Sequence, residues 1–243
     1  VFDPYIILLT QGAGTFGAIA ATLIAFRTIN KKNPNKLGVQ GPPLDFLVGL
    51  ALGALSMTII FVFLYATGQI SLENSLGNPR ITAYFFIYAI LFILVGFFEE
   101  MFFRGYVIKT LQSRRHSKLS VYLISAGFFS VAHMINPNVA LLGLVNIFFI
   151  GLLFAYMFDV TKSLLLPIGY HITWNFFQGT VFGFPVSGTE AHGLYEIDLT
   201  NGITLLTGGS FGVEASLITT LIIGFGFIVT KFYTRNRIEV GKW

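Results

Sequence analysis

Cysteine is absent from this chain of 243 residues, and charged residues are scarce. Without cysteine the protein forms no disulfide and offers no thiolate ligand to a metal ion. Only 11% of the residues are charged, whereas soluble domains contain about 25%. With 54% hydrophobic residues, the chain is predicted to be an integral membrane protein built from spans of about 20 residues.

Seven apolar segments separated by polar breaks are long enough to cross a membrane. The breaks carry turn sequences such as Asn136-Pro137-Asn138, and Gly49 and Gly53 have the small-residue spacing of closely packed helices. The sequence therefore predicts an all-α, polytopic transmembrane helix bundle that forms a single membrane domain over residues 1–243. The predicted spans are roughly 5–26, 46–66, 82–112, 119–135, 139–158, 164–184 and 213–232.

Basic residues collect on one side of this seven-span bundle. They follow the first, third, fifth and seventh spans, and Arg80 is the only basic residue in the opposite loops. Because cytoplasmic loops are enriched in Lys and Arg, we predict that the N-terminus lies outside and the C-terminus inside. The placement of Lys and Arg in the predicted cytoplasmic loops thus accounts for the net charge of +4, and no nucleic-acid partner is expected. The cytoplasmic set is Arg27, Lys31, Lys32, Lys36, Lys109, Arg114, Arg115, Lys118, Lys162, Lys231, Arg235, Arg237 and Lys242.

Two adjacent glutamates, Glu99 and Glu100, lie inside one of the most apolar stretches of the chain. An ionised side chain in hydrocarbon costs about 2.5–3.5 kcal/mol on the milder scales, so packing alone does not explain this pair. Glu100 and Arg104 are four residues apart and are predicted to pair on one helix face. The Glu99 side chain then points about 100° away from that face around the helix axis and is left free for chemistry.

Polar side chains in two further helices reach a similar depth. Glu99 and His133 each lie about 15 residues, or ~22 Å, from the nearest cytoplasmic basic residue. His171 and Asn175 lie ~14 and ~20 Å from theirs and share one helix face. A lone histidine or asparagine in a membrane is often only a helix–helix contact, which is our interpretation of Asn146. The combination of acid, imidazoles and amide at one depth instead indicates a buried reaction site.

The motifs Glu99-Glu100-x-x-x-Arg104, Phe129-x-x-x-His133 and His171-x-x-x-Asn175 resemble, in order and spacing, those of the CPBP family. This family comprises intramembrane CAAX proteases and bacteriocin-processing (Abi-type) proteins, and it includes the type II CAAX prenyl endopeptidases. The resemblance covers about residues 80–184, the expected catalytic core. It implies an intramembrane endopeptidase whose cavity opens to the cytoplasm.

The resemblance also implies roles for individual residues. Glu99, assisted by His133, would activate the attacking water, and His171 and Asn175 would stabilise the oxyanion. Glu100, Arg104 and Phe129 would support this geometry. The expected partners are the lipid bilayer and a peptide or protein substrate with a membrane-associated segment. The small size of the chain favours a bacterial plasma membrane as its location.

No cofactor is expected, but the residues leave a metal mechanism open. Glu99, His133 and His171 are three suitable ligands for a catalytic zinc ion with an open fourth position. There is no His-Glu-x-x-His motif in the sequence, and a glutamate base suffices for amide hydrolysis. The glutamate-type mechanism is therefore preferred.

Two functions of other classes compete with the peptidase. A non-enzymatic membrane scaffold or bacteriocin-immunity protein would keep the same polar groups to tie its helices together. A proton or cation transporter would use intramembrane Glu and His as a relay, but the sequence has no detectable internal repeat. The stability and activity of a Glu99→Gln variant distinguish the peptidase from the scaffold.

Overall fold

The computed structural model describes residues 3–190, 192–199 and 202–236, and these are mostly helical. Six helices in this part of the chain are long and apolar enough to cross a membrane. A further helix, α6, spans Leu165–Asn175 and continues as a π-helical segment, Phe176–Val181. The other six are α1 Pro4–Thr28, α2 Pro43–Ala66, α3 Ala83–Ser113, α4 Lys118–Ile135, α5 Leu141–Thr161 and α7 Leu217–Thr234.

Each predicted span overlaps one of these helices. The last helix begins at Leu217 and not at residue 213, because the Ser216 hydroxyl caps it by accepting the Thr219 N–H at 3.2 Å. Glu214 therefore lies outside the span, in a 3₁₀ turn, Val213–Ala215. The predicted C-terminal basic residues Arg237 and Lys242 fall outside the described residues.

Helix α3 is continuous over 31 residues, more than the about 20 that one perpendicular span needs. It includes a π-helical segment, Glu100–Val107, that begins at the second glutamate of the pair. Such segments are rare and often occur at functional sites. The widening places Glu99 at the junction of two helix types, near the middle of α3.

The loops at one end of the bundle form a cap that the all-α prediction missed. Two short antiparallel strands, β1 Ser71–Leu72 and β2 Ile197–Asp198, pair there, because neighbouring loops satisfy their backbone groups by hydrogen bonding to each other. We call residues 67–82, 136–140, 182–190, 192–199 and 202–216 the capped end. Residues 29–42, 114–117 and 162–164, at the other end of the helices, form the basic end.

Glycines allow α6 to pack directly on α2. A Cβ atom added at Gly49 would overlap the carbonyl oxygen of Leu166, and one at Gly53 would overlap that of Tyr170. The Thr173 hydroxyl also donates to the carbonyl of Leu50 at 2.8 Å. This close contact, predicted from the glycine spacing, fixes the helix that carries His171 and Asn175.

Candidate active site

A cavity of about 220 Å³ lies inside the bundle, and all four predicted catalytic side chains line it. Glu99 comes from α3, His133 from the last turn of α4, and His171 and Asn175 from α6. The rest of the lining comes mainly from α3, α5, α7 and the loop residues 186–190 and 192. The structure thus brings together the residues that sequence spacing placed at one depth.

Glu100 and Arg104 form the predicted pair beneath this cavity. Arg104 Nη1 donates to Glu100 Oε1 at 2.9 Å, and both side chains are fully buried. The guanidinium carbon lies 4.2 Å from the centre of the Phe129 ring, a cation–π contact. A buried charge is tolerated when it is paired in this way.

Glu100 also binds His171, a contact that the sequence did not reveal. Its Oε1 atom lies 2.9 Å from His171 Nδ1. Because this carboxylate already accepts from Arg104, it acts as an acceptor here too, and Nδ1 carries the hydrogen. His171 Nε2 consequently faces the Oε2 atom of Glu99, 3.7 Å away.

His133 is oriented by the backbone of its own helix. Its Nδ1 lies 2.8 Å from the carbonyl oxygen of Phe129, and since a carbonyl only accepts, Nδ1 carries the hydrogen. The lone pair of His133 Nε2 is therefore available to accept a hydrogen bond. Phe129 therefore contacts the site twice, through this carbonyl and through the ring that packs on Arg104.

The zinc alternative stays a prediction. Within residues 3–190, 192–199 and 202–236, no three His, Cys, Asp or Glu side chains are arranged to hold a metal ion. Glu99, His133 and His171 line one cavity without forming such a group.

A second buried carboxylate in the cavity wall, Glu214, was missed by sequence reasoning. It accepts the Ser187 N–H at 2.9 Å and hydroxyl at 3.1 Å, and a hydrogen bond from the amide of Gln178. Burial raises the pKa of Glu214 to about 7. Its backbone carbonyl accepts from Asn146 Nδ2 at 2.7 Å, so Asn146 is the helix contact it was interpreted to be. A glutamate at the polar edge of an apolar segment is ordinary in sequence, and only folding buries it.

The cavity lies in the half of the bundle nearer the capped end. Its helical lining runs from the middle of each helix toward that end, as at Tyr88, Ile147 and Gly179. Residues 186–190 and 192 form part of its rim, and the ring of His192 stacks on Tyr84 with centroids 4.1 Å apart. No described residue of the basic end lines it. His192 had been given no role from the sequence.

The fold and the site define a class: a multi-pass helical membrane protein with an acid–imidazole centre in a cavity inside its bundle. Residues 81–177 match the family model for the Rce1-like type II CAAX prenyl endopeptidases. The match covers less than half of the chain but contains all three motifs, and it is consistent with the resemblance to the CPBP-family intramembrane proteases. No curated protein and no solved structure matches the chain.

Proposed function

We propose that the protein is an intramembrane endopeptidase that hydrolyses a peptide bond in a membrane-associated peptide or protein tail. The observation that carries this proposal is the convergence of Glu99, His133, His171 and Asn175 on one cavity. The family match supports a protease with a peptide or protein substrate.

Glu99 is the proposed general base. Its Oε2 atom is buried and has no hydrogen-bond partner among the described residues, so it is free to take a proton from water. The water oxygen then attacks the carbonyl carbon of the substrate, with His133 Nε2 holding the second water hydrogen. When the C–N bond breaks, Glu99 returns its proton to the leaving amine. A positioned base contributes about 10²–10⁴-fold to such a reaction.

The tetrahedral intermediate carries an oxyanion that needs hydrogen-bond donors. The Asn175 amide is one, and His171 Nε2 is a second when the ring carries both protons. Glu100 accepts the Nδ1 hydrogen of His171 and thereby fixes the ring with Nε2 toward the cavity. Each donor of this kind contributes roughly 2.7–4 kcal/mol in a water-poor site.

We propose further that all seven helices cross the membrane, with the basic end in the cytoplasm and the capped end outside. The Lys and Arg distribution supports this orientation. Access from the cytoplasm, implied by the family resemblance, stays a prediction. The rim residues 186–190 and 192 support access from the capped end instead.

Comparison of cells carrying the wild type with cells carrying Glu99→Gln tests the proposed activity. Mass spectrometry of membrane peptides should find products in the first that are missing in the second, at equal protein level and thermal stability. Glu73→Gln, at an exposed carboxylate that does not line the cavity, is the matched control and should cleave normally. The same membrane peptides in cells carrying the wild type, Glu99→Gln and Glu73→Gln would contradict the proposed peptidase activity. Loss of stability in Glu99→Gln with biological function retained would favour the scaffold.

A further inference from the structure

The charged side chains that line the cavity are acidic. Its titratable lining consists of three carboxylates and three imidazoles, and no described lining residue is Lys or Arg. Burial raises the pKa of Glu214 to about 7, so the negative charge of the lining comes from Glu99 and Glu190, while the imidazoles are uncharged in their singly protonated form. The six residues are Glu99, Glu190, Glu214, His133, His171 and His192.

The basic residues nearby do not offset this charge. Arg104 is fully buried, paired with Glu100, and does not line the cavity. Arg80 lies at the capped end but is ion-paired with Glu196. Every other Lys and Arg of the described chain lies toward or at the basic end.

The three carboxylates are spread along the cavity. Glu190 is exposed on the rim, Glu214 lies in the wall beside the Ser187 loop, and Glu99 is at the reaction centre. Apolar side chains such as Phe92 and Phe154 alternate with them. Low-dielectric walls focus the field of such charges on whatever enters the cavity.

Resting on the proposed peptidase function, we infer that the cavity selects an apolar peptide with a positively charged side chain flanking the bond to be cleaved. Glu190, exposed at the rim, is its specificity-determining residue. A free C-terminal carboxylate, with which every C-terminal CAAX sequence ends, finds no cationic partner among the described lining residues and is disfavoured near them.

Binding of matched peptides tests this charge selection without requiring turnover. The probes share one apolar segment and a C-terminal amide and differ at a single flanking residue, which is Lys, norleucine or Glu. A fourth peptide has Lys and a free C-terminal carboxylate. Dissociation constants are measured on Asn175→Ala, which keeps every acidic residue, in nanodiscs of neutral phosphatidylcholine so that lipid charge does not contribute.

The Lys peptide should bind about tenfold more tightly than the Glu peptide, with norleucine between them and a smaller difference at high salt. The free carboxylate should weaken binding of the Lys peptide. Introducing Glu190→Gln should reduce the Lys preference, whereas Glu73→Gln, on the same end but outside the lining, should leave it unchanged. Equal binding, tighter binding of the Glu peptide, or no binding would overturn the inference.

Turnover of the same peptides by the wild type separates this inference from the proposed function. Cleavage at equal rates regardless of peptide charge would support the proposed peptidase function and contradict the inferred charge selection. Charge-selective binding without any cleavage of the bound peptides would support the charge selection and count against the peptidase function.

Discussion

Glu100 carries two interactions on a single carboxylate oxygen. Its Oε1 atom accepts from Arg104 and from His171, each at 2.9 Å. The same residue therefore compensates a buried cation and sets which nitrogen of the proposed oxyanion donor faces the cavity. The two adjacent glutamates therefore have different roles. Glu99 faces the cavity, and Glu100 holds the helices together beneath it.

Removing one partner of this pair should cost more than removing both. Arg104→Met leaves Glu100 as an uncompensated buried charge and is expected to destabilise the protein by roughly 3–5 kcal/mol. Adding Glu100→Gln removes that charge and should recover part of the loss. Thermal unfolding of the two single variants and the double variant in one detergent measures this. Additive losses would show that the two side chains do not stabilise each other.

Glu214 should make stability depend on pH. Its pKa is raised by burial from 4.5 to about 7, so between these values the folded state holds a proton that the unfolded chain has released. The free energy of unfolding therefore falls as pH rises through this window, by up to roughly 3 kcal/mol.

Melting temperatures of wild type and Glu214→Gln between pH 5 and pH 8, a range of about 3 units chosen to bracket the raised pKa, measure this effect. The wild type should lose stability toward the upper limit, and the variant, which does not titrate, should lose less. Glu73→Gln serves as the control and should follow the wild type. Parallel curves for wild type and Glu214→Gln would contradict the assignment.

At the scale of elements, the position of the site depends on how closely α6 approaches α2. Replacing Gly53 with Val should push α6 away from its partner, costing about 1–3 kcal/mol and displacing His171 and Asn175 from the cavity. Activity should fall further than stability alone explains. Gly224→Ala in α7, where an added Cβ meets nothing within 4 Å, is the matched control. Full activity in Gly53→Val would show that this contact does not position the site.

The sequence predicted the helices and the cavity-lining residues because periodic apolar runs and intramembrane polar residues are local signals. It did not predict the π-helical widening at Glu100 or the contact of Glu100 with His171. Both depend on how α3 and α6 pack, which no spacing within one helix encodes. The burial of Glu214 under the Ser187 loop likewise depends on a long loop folding back. The roles of the site residues stay predictions.

At the scale of the whole molecule, the two ends of the bundle differ in charge and in structure. Most of the described Lys and Arg residues lie at or toward the basic end, and the capped end carries the strand pair and the cavity rim. Large apolar side chains such as Leu141 and Leu221 are exposed on the sides, as expected of a surface that faces lipid. If the charge bias sets the orientation, the cavity rim faces the outside of the cell, whereas the family resemblance implies access from the cytoplasm.

Single cysteines can test this orientation, because the natural chain has none to interfere. Thr189→Cys lies on the exposed cavity rim at the capped end, and Ser113→Cys is exposed beside the basic end. If the basic end is cytoplasmic, a membrane-impermeant maleimide should label Thr189→Cys in intact cells and Ser113→Cys only after permeabilisation. A cleavable peptide should then slow labelling of Thr189→Cys, since both use the same rim. The reverse labelling pattern would place the rim in the cytoplasm and restore the access route that the family resemblance implies.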